Sequence, residues 1–254
     1  MVIKITKEKT ILSTVSVIVA IFIVFVCINK SIVVGGWTKQ TAYLWVLNCW
    51  HFQAKDAKPK LLLIDDDSGN GIFNIKQLCD ELQVKATFAI IPSYMSKEII
   101  DSLKCWQKNG FGIAIHGYDH SDWRNWTYKE VVSDIKKCEE WLQRNHFVEN
   151  EIKYVVAPHT SNTRFIRNAI NDKGYQMITG ANLMNPDTEF FQLGRLMITR
   201  DTDLGETREW LEKARGRKLF VVLGTHSSIP NEFSIKKTKA ILQMAIEMGF
   251  EIQQ

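Results

Sequence analysis

Leu61-Leu62-Leu63-Ile64 runs directly into Asp65-Asp66-Asp67, and the junction decides how the rest of the chain is read. An apolar run of this kind describes a buried strand. Delivering carboxylates at its tip is wasteful unless a positive group sits there. A second such junction follows fifty residues on, where Phe111-Gly112-Ile113-Ala114-Ile115 ends in His116-Gly117-Tyr118-Asp119-His120. Carboxylates on one strand end and two histidines, four apart, on another supply the ligand types of a zinc-type divalent metal.

From residue 61 short apolar runs alternate with amphipathic stretches. Strands are expected at Leu61–Ile64, Ala86–Ile91, Phe111–Ile115, Tyr154–Ala157, Gln176–Thr179, Gln192–Thr199, Leu219–Leu223 and Phe250–Ile252. Helices are expected at Ile72–Gln83, Lys97–Lys108, Tyr128–Asn145, Arg164–Lys173, Glu206–Ala214 and Ser234–Met248. Thr127 and Glu130 make a capping box before the third helix. Strict β–α alternation implies a mainly parallel sheet, open or closed into a barrel. In such folds the chemistry sits at the carboxyl ends of the strands. Asp65–Asp67, His116, Pro158-His159, Arg200–Asp203 and Thr225-His226 all follow strands directly, so five polar clusters converge on one face.

The 254 residues suffice for one sizeable domain plus an appendage, and 45% hydrophobic with 24% charged residues excludes disorder. Net charge is +4, but residues 1–60 hold eight lysines against Glu8 and Asp56. That leaves 24 basic and 26 acidic residues in the body, whose slight acidity argues against nucleic acid as a partner. Lys4, Lys7 and Lys9 precede Ile11–Ile28, an uncharged stretch of 18 residues. It would span roughly 27 Å as a helix. No small-x-small cleavage site follows Ile28, and the lysines before the span place the N-terminus inside. The expected organisation is a basic cytoplasmic tail (1–10), a transmembrane signal anchor (11–28), an aromatic-rich connector (29–60) and an extracytoplasmic domain (61–254). Five cysteines without a C-x-x-C fix no disulfide pairing.

Each signal has a plain alternative. The aspartate run also suits a solvated turn, and H-x-x-x-H is short. Trp123 and Trp126 serve equally as core or as a platform for a sugar ring. His226 is either structural or the acid that amide cleavage needs, because an amine leaves poorly unless protonated. His159 is a pocket wall or a further ligand. His51 and His146 carry no expected role.

The residues resemble the polysaccharide deacetylase family, carbohydrate esterases of the chitin and peptidoglycan deacetylase type, over roughly residues 60–254. The family's T-F-D-D-G is similar to Leu63-Ile64-Asp65-Asp66-Asp67, its Ala-Thr-Phe-Phe to Ala86-Thr87-Phe88-Ala89, and its G-x-x-I with H-x-x-x-H to Gly110–Ile113 and His116–His120. The resemblance implies a distorted (β/α) barrel with mainly parallel strands. It also implies Asp65 as general base, with Asp66, His116 and His120 holding one divalent metal, zinc above others. A register shifted by one, with Asp66 as base and Asp67 as ligand, stays open.

Two motifs depart from the family. Its R-x-P-Y is similar to Val156-Ala157-Pro158-His159, which lacks the arginine that orients the base, so Arg200 is expected in that place. Its L-H becomes Leu223-Gly224-Thr225-His226, with His226 as general acid and Leu223 displaced at the acetyl-methyl pocket. Pro158, His159, Trp123 and Leu223 are the expected substrate contacts. The expected function is metal-dependent hydrolysis of N-acetyl groups on an envelope or capsule polysaccharide, releasing acetate. The alternatives are a catalytically silent carbohydrate-binding envelope module and a different metal-dependent amidohydrolase. Expected partners are the N-acetylated glycan and the membrane through residues 11–28; nothing points to a protein partner.

Overall fold

The computed structural model describes residues 58–66, 69–148, 151–185, 188 and 192–253. The expected tail, the span 11–28, most of the connector, Asp67, Cys27 and Cys49 lie outside these residues. Among the described residues no helix is long and apolar enough to cross a membrane.

Strands and helices alternate. β1 (Lys60–Asp65) leads to α1 (Ile72–Leu82), β2 (Thr87–Ile90) to α2 (Lys97–Lys108), β3 (Gly112–Ile115) to α3 (Tyr128–Arg144), and β4 (Tyr154–Val156) to α4 (Arg164–Asp172). β5 (Gln176–Ile178), β6 (Gln192–Leu193) and β7 (Leu196–Met197) follow, then α5 (Leu204–Arg217), β8 (Phe220–Thr225), α6 (Ile235–Glu247) and β9 (Glu251–Gln253). The expected capping box is present: Thr127 and Glu130 cap α3 reciprocally. Ser96, Thr163, Asp203 and Ser234 each accept a backbone N–H at the head of a helix.

The sheet runs β6-β5-β4-β3-β2-β1-β8-β7, with β9 added to β1. Every pairing within it is parallel. It curls as a distorted barrel. Its two edge strands, β6 and β7, are separated in the chain by Gly194-Arg195 alone, so this short segment passes from the β5 edge to the β8 edge. Asn185 ties the same region together. Its backbone bridges Phe220, and its side chain holds both the N–H and the carbonyl of Gly194. The sequence pattern 192–199 reads as one strand. The structure breaks it in two because residues 194–195 make the crossing.

Side-chain alternation sorts the strands into two apolar layers. Leu62, Ile64, Ala89, Ala114, Val156 and Val222 belong to a cluster made only of strand residues, on the inner side of the sheet. Leu61, Leu63, Phe88, Ile113, Ile115 and Leu223 pack with the helices on the outer side. Cys79 and Cys138 are buried free thiols in that outer layer, and Cys105 is an exposed one.

Candidate active site

Where the strands end, the alternation continues into the polar residues and sorts them too. Asp66 follows Leu62 and Ile64 on the inner side, His116 follows Ala114, and His226 follows Val222 and Gly224. Asp65 and Thr225 continue the outer side. Two neighbouring aspartates therefore face opposite ways.

Asp66 is the centre of the inner group. It is fully buried, and Arg195 Nη1 donates to its Oδ2. His226 Nε2 lies 3.5 Å and His116 Nε2 4.0 Å from the same oxygen. Arg195, itself 3% exposed, comes from the crossing between β6 and β7. Burial alone would raise the Asp66 carboxyl, but Arg195 and the two histidines outweigh it and hold it well below the usual carboxylate range. Asp66 Oδ1 and Arg195 Nε are buried without a hydrogen-bond partner among the described residues.

The histidines are held from behind. His116 Nδ1 lies 2.8 Å from the Val156 carbonyl, which can only accept, so Nδ1 carries the proton and Nε2 faces Asp66. His226 Nδ1 lies 3.0 Å from Glu232 Oε2, an arrangement that steadies the ring and leaves Nε2 toward the inner carboxylate. The His120 ring packs 4.8 Å from that of His116 and 4.5 Å from that of His159. Its carbonyl lies 3.1 Å from His159 Nε2. The turn carrying the pair needs glycine at 117: φ is +74°, and a Cβ there would stand 2.8 Å from Pro158 Cγ. Asp134 of α3 secures the turn by accepting the Tyr118 N–H at 2.9 Å.

Asp65 faces the other way. Its Oδ1 accepts from Thr225 Oγ1 at 2.6 Å and from the Ser227 N–H at 3.0 Å, and its Oδ2 from Ser227 Oγ at 2.5 Å. Burial pushes its carboxyl up to about 7 despite these donors. Such a value suits a general base, but a base must first reach the proton it takes. Asp65, expected as the base, is fully buried, and both its oxygens are engaged by Thr225 and Ser227.

The raised value has a consequence for stability. Between about pH 4 and 7 the folded protein holds a proton at Asp65 that the unfolded chain has released, so stability falls as pH rises through that window, by about 4 kcal/mol at most. Asp65→Asn is expected to flatten this slope in denaturant unfolding measured from pH 4 to 8. An unchanged slope would place the titrating group elsewhere.

A divalent metal of the zinc type is what the family resemblance implies. His116 and His120 present adjacent imidazoles, and a backbone carbonyl fixes the His116 tautomer as metal-bound histidines require. The buried Asp66 carboxylate lies next to the pair, its Oδ2 4.0 Å from His116 Nε2. This donor chemistry fits such an ion. Among the described residues no three of histidine, cysteine, aspartate and glutamate are arranged to hold one. The aspartate that the shifted register would add, Asp67, lies outside them.

Several expected residues take other places. Arg200 is exposed and meets the site only through its backbone N–H, 2.9 Å from the Glu232 carbonyl. Arg195 stands at the inner carboxylate instead. Leu223 is buried in the outer layer, and Trp123 is 0% exposed, so neither offers a surface to a sugar. Trp123 stacks on Trp126, with 6.0 Å between ring centroids. Pro158 is buried against the histidine turn, and His159 is exposed at its edge. Arg195 and Glu232 are the residues that sequence reading misses.

Gly224 makes room for Arg195. A Cβ there would collide with Met197 Sδ and stand 3.2 Å from Arg195 Cδ. Gly224→Leu is expected to push Arg195 off Asp66 and to lower stability by about 1–3 kcal/mol, as overpacking does. Equal denaturant midpoints for the variant and the parent would show that the space is not limiting.

An α/β barrel with a buried carboxylate, an arginine and paired histidines at its strand ends defines a hydrolase-type site. The chain belongs to the polysaccharide deacetylase family, whose model matches residues 53–178. That stretch includes Asp65, Asp66, His116 and His120 but neither Arg195 nor His226. No curated protein matches the sequence. Among solved structures, the fold is similar to the chitin deacetylase of the fungal pathogen Colletotrichum lindemuthianum (TM-score 0.57, 15% identity, covering 79% of this chain and 87% of that one). It is similar to a family 4 acetyl xylan esterase from Clostridium thermocellum, solved with a cobalt ion (0.54, 15%, 76% and 86%). It is also similar to a family 4 pseudoenzyme from Bacillus anthracis (0.54, 13%, 80% and 66%). At these identities the likeness concerns the fold alone.

Proposed function

We propose that the protein is a metal-dependent carbohydrate N-deacetylase that releases acetate from an N-acetylated envelope or capsule glycan. The observation that carries this reading is the meeting of Asp66, Arg195, His116 and His226 on the inner side of the strand ends. The family resemblance makes Asp65 the base, but the geometry favours the shifted register. Asp66 Oδ1 accepts the proton of the attacking water, while Arg195 and the surrounding strands fix the carboxylate through Oδ2. His116 and His120, with Asp67 in the shifted register, would hold the metal. When bound, a divalent ion supplies Lewis-acid polarisation of the acetamide carbonyl and a more acidic water. His226 Nε2 protonates the departing sugar nitrogen, and Glu232 keeps its Nδ1–H in place.

The silent-module reading draws support from the missing third-motif arginine and from the pseudoenzyme of the same fold. Arg195 weakens it, because an arginine still reaches the carboxylate. Residues 11–28 are proposed as the membrane anchor, with the domain outside. Protease added to intact cells should then digest the domain, and a soluble form beginning near residue 30 would refute the anchor.

Metal dependence is tested by chelation. Acetate release should vanish when the protein is stripped and return with zinc or cobalt. His116→Ala should bind no stoichiometric metal. Unchanged metal content in that variant would sink the ligand assignment.

A further inference from the structure

On the same face as the strand ends, a cavity of about 430 Å³ opens beside Ser227, the residue that holds Asp65. Its lining includes Arg200, Lys236, Phe233, Ile235 and Asn74. Arg200 joins it to the acid: its N–H meets the carbonyl of Glu232, whose carboxylate is committed to His226 Nδ1. The two cations of the lining are exposed, and neither side chain makes an ion pair or hydrogen bond among the described residues. Other cations nearby are accounted for, since Lys237 donates to the Thr202 carbonyl and Lys239 pairs with Glu81. Lys236 lies in the first turn of α6, a turn without an acidic residue, where the helix dipole disfavours a cation. Local helix stability therefore does not explain it. Residues that break a local rule without a structural return tend to serve a site.

We propose that this cavity is a subsite for an anionic substituent, a carboxylate or a phosphate, carried by the glycan near the acetamide under attack. Arg200 offers the planar fork that both groups accept, and Lys236 adds a point charge. Phe233 and Ile235 give the apolar flank on which a sugar ring rests. The inference rests on the deacetylase reading and narrows its substrate to acidic N-acetylated glycans.

The test compares initial rates of acetate release by the full-length protein on matched N-acetylated oligomers that are neutral, carboxylate-bearing or phosphate-bearing. KM for an anionic oligomer should be about tenfold lower than for the neutral one, a gap that narrows as salt is added. Arg200→Gln/Lys236→Gln should erase the gap by raising KM on anionic oligomers, with kcat unchanged. Preference for one anion over the other identifies the source, and either supports the subsite. Equal KM values across the parent protein's substrates, or a preference that survives the double substitution, would overturn it. If no oligomer releases acetate, the deacetylase reading fails, and calorimetric titration of the same oligomers still decides the subsite. Tighter binding of the anionic forms, lost in the double variant, upholds it. Equal or absent binding refutes it.

Discussion

Replacing His226 with alanine is expected to slow acetate release from an N-acetyl glycan by about 10²- to 10⁴-fold, the usual loss for a positioned acid. An activated acetyl ester should suffer far less, because its leaving group needs little protonation. Metal content should be unchanged, since His226 is held by Glu232 through Nδ1 and is not among the proposed ligands. The rate ratio between amide and ester substrates measures the effect directly. Equal losses on both, with metal retained, would show that His226 shapes or positions the site instead of delivering a proton. Glu232→Gln should give a smaller loss of the same kind, because it loosens the ring without removing it.

Asp66→Asn is expected to abolish measurable turnover while preserving metal. The substitution keeps shape but removes the proton acceptor, a loss of about 10²- to 10⁴-fold in rate. It also leaves the Arg195 guanidinium buried without its counter-charge, which costs about 3–5 kcal/mol of stability when a buried pair is broken. Stability and rate therefore need to be read separately, by denaturant unfolding and by acetate release at a temperature where the variant is folded. Asp65→Asn supplies the contrast: it should retain metal and most of the rate, because its carboxylate faces Thr225 and Ser227. The opposite pattern, with Asp65→Asn inactive and Asp66→Asn stripped of metal, would restore the unshifted register.

Much of the fold was legible because the local signals agree. The capping box at Thr127 and Glu130 and the apolar runs before Asp65 and His116 each specify one outcome. The convergence of strand ends was equally readable, since a parallel sheet puts all its carboxyl ends on one face. What stayed hidden was the side each residue faces. Leu61–Ile64 are all fully buried, so no alternation of polar and apolar residues tells which parity points inward. The two aspartates could thus not be assigned to their faces from sequence. Arg195 was hidden for a related reason: it sits inside an apolar stretch that reads as one strand, and only the crossing from β5 to β8 turns it to the inner side. Gly224 gave a faint signal, as a glycine in a buried strand often marks the close approach of another group. Glu232 gave none, being one acid in a polar loop.

Acetate release by the purified full-length protein, loaded with zinc and offered N-acetylated glycans of both neutral and acidic kinds, tests the central claim most directly. Release that requires the metal, rises with enzyme concentration and disappears in Asp66→Asn is the predicted result. A protein that is folded, carries stoichiometric metal and binds a glycan, yet frees no acetate from any of them, would contradict it and leave a carbohydrate-binding module on a deacetylase fold.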